Sequence, residues 1–259
     1  MIHPTAIVSD QANIGEGVTI GPFCVVEDRV KIGPRTVLRS HVVVRKGSVI
    51  GADCLIDSFS ITGGDPNFLE FDPTVSSGVV IGDQSTLREG VTIHRSIHEG
   101  GNTRIGSKVF LMAGFHAGHD CLLEDGVVAA SDALLGGHVT VGRNAFLGGN
   151  SSVHQHSRIG EGSMIGGTAR ITKDVAPFLL ISERDDVSGL NLIGLRRRKV
   201  PTETIRELKE LYHLILRSPG NPVSTVKTIE KPKSPEAIRF CEFFVPSSRS
   251  YAKGSIARS

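Results

Sequence analysis

Aliphatic residues recur at every sixth position over most of this chain, and that spacing excludes most folds. Val8, Ile14, Ile20, Val26, Ile32, Leu38, Val44, Ile50 and Ile56 form one run. Ile81, Leu87 and Ile93 resume it, and Ile105, Leu111, Ala117, Leu123, Ala129, Leu135, Val141, Leu147, Val153, Ile159, Ile165 and Ile171 carry it on. Six is a multiple of the two-residue strand period, so all these side chains can face one interior, whereas a helix of 3.6 residues per turn would scatter them. Glycine often follows the aliphatic residue, as in Ile14-Gly15, Ile32-Gly33 and Val141-Gly142, which suits corners between short strands. Three strands per coil make a triangular prism of about 18 residues per turn, a parallel β-helix whose handedness the spacing leaves open.

The period breaks twice, over residues 62–80 and 96–104, and loops leaving a rigid prism are natural carriers of binding groups. It disappears after Ile171. Ile205, Leu208, Tyr212 and Ile215 then follow at helical spacing within 201–217, and Ser234-Pro235 ahead of Ile238, Cys241 and Phe244 reads as the start of a further helix. The expected organisation is a β-helix over 1–190 and a small α-helical C-terminal domain over 191–259.

Thirty glycines, two tyrosines and no tryptophan leave the core to aliphatic residues. The four cysteines, Cys24, Cys54, Cys121 and Cys241, have no C-x-x-C spacing, which fits free thiols in a reducing compartment. No N-terminal signal pattern and no apolar run of about 18 residues is present, so the cytoplasm is the simplest address and no membrane span is expected. The net charge of +2 hides an asymmetry: from Arg196 onward there are 14 Lys and Arg against 6 Asp and Glu. Such a tail points to an anionic partner, and nothing singles out a nucleic acid.

In a prism of this pitch, residues 18 apart become neighbours on adjacent coils, about 4.8 Å apart. Asp120, His138 and His156 then share one column; His119, Gly137 and Gln155 share the next; Gly118, Gly136 and His154 the one beside it, with His116 near the same edge. Histidines gathered beside an aspartate, with glycines that let a substrate approach the backbone, have the composition of a reaction centre. His119 is the candidate base, Asp120 its orienting acid, and the Gly137 N–H a candidate oxyanion donor. A surface ladder of imidazoles without function would give the same columns.

At these residues the sequence resembles the UDP-N-acetylglucosamine O-acyltransferases that begin lipid A synthesis. The likeness runs through HPTAIV (3–8), IGPFCVV (20–26), LRSHVVV (38–44), LREGVTIHR (87–95), HAGHDC (116–121), GGHVTVG (136–142), SVHQ (152–155), GLNLIGLRRR (189–198) and FCEFF (240–244). The resemblance implies a left-handed prism and a homotrimer with active sites between neighbouring prisms. It also implies transfer of an acyl chain from acyl carrier protein to the sugar 3-position, needing no metal or other cofactor. By the same analogy His119, Asp120 and Gly137 are catalytic, His116, His138, His154 and Gln155 line the substrate site, and Asn191 and Arg197 lie near the phosphopantetheine arm or nucleotide. Gly167 matches the position where a larger side chain shortens the acyl pocket.

Departures from the family pattern surround the acceptor. Asn67-Phe68-Leu69-Glu70 stands where Q-D-L-K is usual, and Asn191-Leu192-Ile193 where Asn-x-Glu is common; His156 replaces a phenylalanine, and SERDDVSG at 182–189 a Gly-Asn turn. Some relatives lacking the tail glutamate acylate a 3-amino sugar, so an amide product stays open. Two other classes also fit the histidines: a zinc enzyme ligated by His116, His119 and His138, and a non-catalytic paralogue that binds carrier protein or sugar nucleotide.

Overall fold

The computed structural model describes residues 1–245 and 249–254; the region assigned above to 191–259 thus includes some residues, 246–248 and 255–259, that lie outside it. Three sheets form the walls of a left-handed prism. The first wall runs from strand Ile7–Val8 to Arg170–Ile171, the second from Asn13–Ile14 to Arg158–Ile159, and the third starts at Thr19–Ile20. Most strands hold two residues, the first facing outward and the second inward. Val26 pairs with Val44, Leu111 with Ala129 and Leu135 with Val153, all in parallel register. The sixfold aliphatics therefore stack along the prism axis, and Ile56, Leu87, Leu111 and Leu147 are fully buried.

A second inward set, two residues ahead of each aliphatic, escaped the sequence reading because it is small and partly polar. Val18, Thr36, Cys54, Ser85, Val109, Val127, Ala145 and Ser163 fill one such column, all buried. Their hydroxyls cap corner carbonyls of the next coil: Thr36 Oγ1 donates to Gly51 O at 2.8 Å, Ser85 Oγ to Gly106 O at 3.0 Å and Ser163 Oγ to Ala176 O at 2.9 Å. A buried hydroxyl with a partner avoids its desolvation cost. All four cysteines are free and buried, and burial pushes the Cys121 thiol up to about 12.

The two interruptions are real but narrower than the broken period implied. Residues 62–64 finish the strand Ile61–Gly64, and 78–80 belong to Gly78–Ile81, so the first excursion is 65–77. Likewise 102–104 lie in the strand Asn102–Ile105. Backbone pairing captured these flanks although they lack the sixfold aliphatic. The column spacing of 18 thus becomes 31 across the first excursion and 24 across the second.

At the far end, Leu179–Ile181 continues the third wall and Val187–Leu190 pairs with it antiparallel, which closes an edge that would otherwise invite further strands. Helices α1 (Leu192–Arg197), α2 (Thr202–Tyr212), α3 (Pro222–Val226) and α4 (Pro235–Glu242) follow, with a π-helical turn, His213–Arg217, continuing α2. Helix α4 starts as the sequence signals, with Ser234 accepting from Ala237 N and Pro235 in the first turn. Leu195, Leu208, Ile215 and Phe240 are buried in the same continuous core as the prism residues. No helix among the described residues is long and apolar enough to cross a membrane.

Asp174, fully buried, ties the last coils to the chain end. It takes the guanidinium of Arg158 at 2.8 Å and that of Arg249 at 3.3 Å, and its backbone N–H donates to Ser250 O at 2.9 Å. Asp174→Ala leaves two partly buried cations facing a vacated site, and the expected cost is about 3 kcal/mol of unfolding free energy. Denaturant unfolding of the variant beside wild type measures it, and a change within error of zero contradicts the assignment of Asp174 as the latch.

Candidate active site

Each coil turns from the first wall to the second through a corner, and three successive corners, 118–121, 136–139 and 154–157, carry the histidine columns. Asp120, His138 and His156 all occupy the left-handed backbone region, with φ of 59°, 59° and 63°. Non-glycine residues rarely adopt it, and here it is imposed by the corner geometry of every coil. His138 N donates to His119 O and His156 N to Gly137 O, both at 2.9 Å, which locks the columns in register. The His138 and His156 rings stack face to face, 4.5 Å between centroids and 6° between planes.

His119 meets Asp120 side by side: its Nδ1 lies 2.9 Å from Asp120 Oδ2. An ionised carboxylate only accepts, so Nδ1 carries the proton and Nε2 keeps its lone pair for a substrate. Asp120 is itself held on several sides. Ser96 Oγ donates to Oδ1, Ile97 N donates to Oδ2 at 3.2 Å, and Asp120 N donates to Thr103 Oγ1 at 2.8 Å. Burial acts to raise its carboxyl, but the hydrogen bonds from Ser96, His119 and Ile97 outweigh that and hold it below the ordinary carboxylate value. It stays anionic at neutral pH.

Two glycines shape the surroundings of Nε2. A Cβ on Gly137 would lie 2.6 Å from both His119 Cε1 and Nε2, and a Cβ on Gly118 would lie 2.8 Å from Gly137 N. With neither present, the imidazole rests against the Gly137 backbone and the two coils pack closely, both glycines being buried. No acceptor for the Gly137 N–H is found among the described residues. A base and an amide donor thus face one small volume.

His138 meets His119 edge to face at 4.9 Å, and burial lowers its pKa against the opposing pull of Asp120. His116 sits on the outer face of the first wall, its Nδ1 2.8 Å from Thr92 Oγ1 and its ring 4.7 Å from that of His94. Burial lowers His116, and burial with help from His116 and His119 pushes His94 down to about 4. Both rings are neutral at physiological pH and act as hydrogen-bonding surfaces, and His94 Nδ1 is buried without a partner among the described residues. His154 and Gln155 lie on the next coil of the same corner, exposed, with Gln155 N 2.8 Å from where a Gly136 Cβ would stand.

The other three sequence candidates lie elsewhere on the same chain. Asn191 caps α1 through Gly194 N and donates to Gly162 O at 2.9 Å, at the corner between the second and third walls. Arg197 is exposed on α1. Gly167 lies at the corner between the third and first walls, where an added Cβ meets nothing nearer than 3.4 Å. A single chain therefore assembles His119, Asp120, Gly137, His116 and His138 with His154 and Gln155 alongside, and leaves Asn191, Arg197 and Gly167 on its two other corners.

Several residues here were invisible to 18-residue arithmetic. His94 ends the strand before the second excursion, Ser96 and Ile97 open the excursion itself, and only the 24-residue spacing puts Ser96 beside Asp120. Arg95, 3% exposed, anchors the first excursion by donating to Asp65 Oδ1 at 2.8 Å, Pro73 O at 3.0 Å and the carbonyl of Val75. The loop it holds brings Phe68 within 6.3 Å of the His119 ring.

Residues 174–252 match the family model described as "Udp N-acetylglucosamine O-acyltransferase; Domain 2", and residues 11–46 match "Bacterial transferase hexapeptide (six repeats)". The acyl-[acyl-carrier-protein]–UDP-N-acetylglucosamine O-acyltransferase of Sulfurihydrogenibium sp. is 51% identical, over 97% of this chain and 94% of the relative. That of Thermodesulfovibrio yellowstonii is 40% identical, over 96% of this chain and 97% of its own. Among solved structures, the UDP-N-acetylglucosamine acyltransferase of Campylobacter jejuni superimposes with a TM-score of 0.91 at 33% identity, covering 98% of this chain and 99% of its own. The enzyme of Francisella novicida gives 0.92 at 30% identity, covering 100% and 99%. Likeness of this extent, spanning the prism, both excursions and the helical end, means that the chain belongs to the UDP-N-acetylglucosamine O-acyltransferase family.

Proposed function

We propose that this protein transfers an acyl or 3-hydroxyacyl group from acyl carrier protein to the 3-position of a UDP-N-acetylglucosamine-type sugar, the opening step of lipid A synthesis. The observation that carries the reading is His119, tied by Nδ1 to Asp120 at 2.9 Å and packed on Gly137, whose N–H has no acceptor among the described residues. His119 Nε2 takes the proton of the acceptor group as its oxygen attacks the thioester carbonyl. Charge developing on the carbonyl oxygen receives the Gly137 N–H, while Asp120 stabilises the imidazolium. Collapse of the tetrahedral adduct breaks the C–S bond, and the departing thiolate recovers the proton from His119. This chemistry uses no cofactor.

The active unit in this reading is a homotrimer. Val37 and Leu55, then Phe110, Val128, Phe146 and Met164 beyond Thr86, form an outward and mostly apolar row on the third wall, a face that another prism can cover. Pairing of copies also offers Asn191, Arg197 and Gly167 a way to reach a neighbour's histidine corner. Exposed Arg196 and Arg197 with the basic tail suit an acidic carrier protein, and four free thiols suit the cytoplasm. Ile193, 63% exposed where many members have a glutamate, favours one second reading: amide formation on a 3-amino sugar. Mass spectrometry of products from UDP-N-acetylglucosamine and its 3-amino analogue separates the two, and transfer to neither rejects both.

His119→Ala should lower turnover by about 10²–10⁴-fold, the range of a lost general base, with melting temperature and oligomeric size unchanged. Rates near wild type in this variant refute the mechanism. Gly167→Met should shift donor preference toward shorter acyl chains in a panel of acyl-carrier thioesters, since its Cβ projects into open space. Phe146→Glu should give smaller species in analytical ultracentrifugation, and an unchanged mass argues against the third wall as the contact face.

A further inference from the structure

We propose that His98, Asp120 and His138 form a site for a zinc-type transition-metal dication, and that filling it inhibits the enzyme. The inference rests on the His119–Asp120 reading only for the inhibition. Each of the three residues offers one ligand atom, and these atoms all lie within 4.8 Å of one another. Two imidazoles and a carboxylate are a donor set suited to Zn²⁺, Co²⁺ or Ni²⁺.

The second excursion builds this arrangement by curling over Asp120. Ser96 Oγ donates to Asp120 Oδ1 and in turn accepts from His98 N at 3.0 Å, while Gly101 N donates to His98 O at 2.9 Å. A Cβ on Gly101 would meet both Ser96 Oγ and His98 O, so the tight turn that presents His98 depends on that glycine. The His98 ring then lies 5.9 Å from that of His138, whose orientation is fixed by its stack on His156.

Lone-pair accounting indicates where the ion enters. Asp120 Oδ2 already accepts from His119 and Ile97, whereas Oδ1 accepts only from Ser96 among the described residues and keeps a lone pair. Zinc bonds of about 2.0–2.2 Å need donors slightly closer than they stand, and the exposed His98 is the side chain able to swing inward. The zinc set considered from sequence, His116, His119 and His138, does not bring its ligand atoms together in this way among the described residues. A dication on Oδ1 takes over the carboxylate that holds His119 Nδ1 at 2.9 Å and occupies the space between His98 and His138 beside it. Turnover falls as a result.

Cobalt(II) serves as the visible probe. Wild type should bind one Co²⁺ per chain with a d–d absorption band, and His98→Ala should bind it more weakly by at least the about 10–100-fold that even an outer-shell loss costs. Equal affinity in the two proteins, or no band in wild type, overturns the site. In the acyl-transfer assay Zn²⁺ should slow wild type and a chelator should restore it, while His98→Ala keeps full basal turnover and escapes inhibition. Equal Zn²⁺ inhibition of both proteins overturns the inhibitory role. A protein that transfers no acyl group on any tested acceptor still reports the metal site through cobalt absorption, so failure of the enzyme reading and failure of the site are separable.

Discussion

Parallel pairing of one coil on the next is the interaction on which everything else depends. A two-residue strand has almost no stability alone, and it exists here because its N–H and C=O groups find partners on the coils above and below. Leu111 and Ala129, or Leu135 and Val153, are held in this way. The inward aliphatics supply the dry interior that makes those hydrogen bonds worth forming. Prism stability is then a sum of similar nearest-neighbour contacts, so a corner can carry unusual chemistry without collapse of the whole.

The active corner draws on that tolerance. Left-handed backbone at Asp120, His138 and His156 directs three side chains to one face at coil spacing. Glycine at 118 and 137 lets the adjacent coil and the His119 ring pack closer than a Cβ would allow. The excursions depart from the frame on either side and return with groups the prism cannot supply: Ser96 and Ile97 on Asp120, and Phe68 against His119. Arg95, buried beneath the first excursion, turns what would be a loose 13-residue loop into a fixed wall of the site.

The departures from the family pattern fall on this wall, at His156 on the repeating corner and at the helical end. Phe68 and Glu70 stand where an acid and a lysine are usual, and exposed Ile193 where a glutamate is common. His119, Asp120 and Gly137 sit on the repeating frame, where backbone register holds them.

Sequence alone determined the prism, because a sixfold aliphatic period has only one economical way to bury its side chains, and it determined the histidine columns, because 18-residue spacing is set by the backbone. It also marked the α4 start through Ser234-Pro235. The excursion edges, the inward Ser, Thr and Cys columns, and the partners of Asp120 were decided only in three dimensions. Strand pairing there extends beyond the aliphatic signal, and a buried hydroxyl looks like a surface one until its acceptor is found. Tertiary structure likewise decided where Asn191 and Arg197 stand: residues after the last complete coil have no repeat to fix their azimuth, and packing at the prism end, with Asn191 bonded to Gly162, sets it instead.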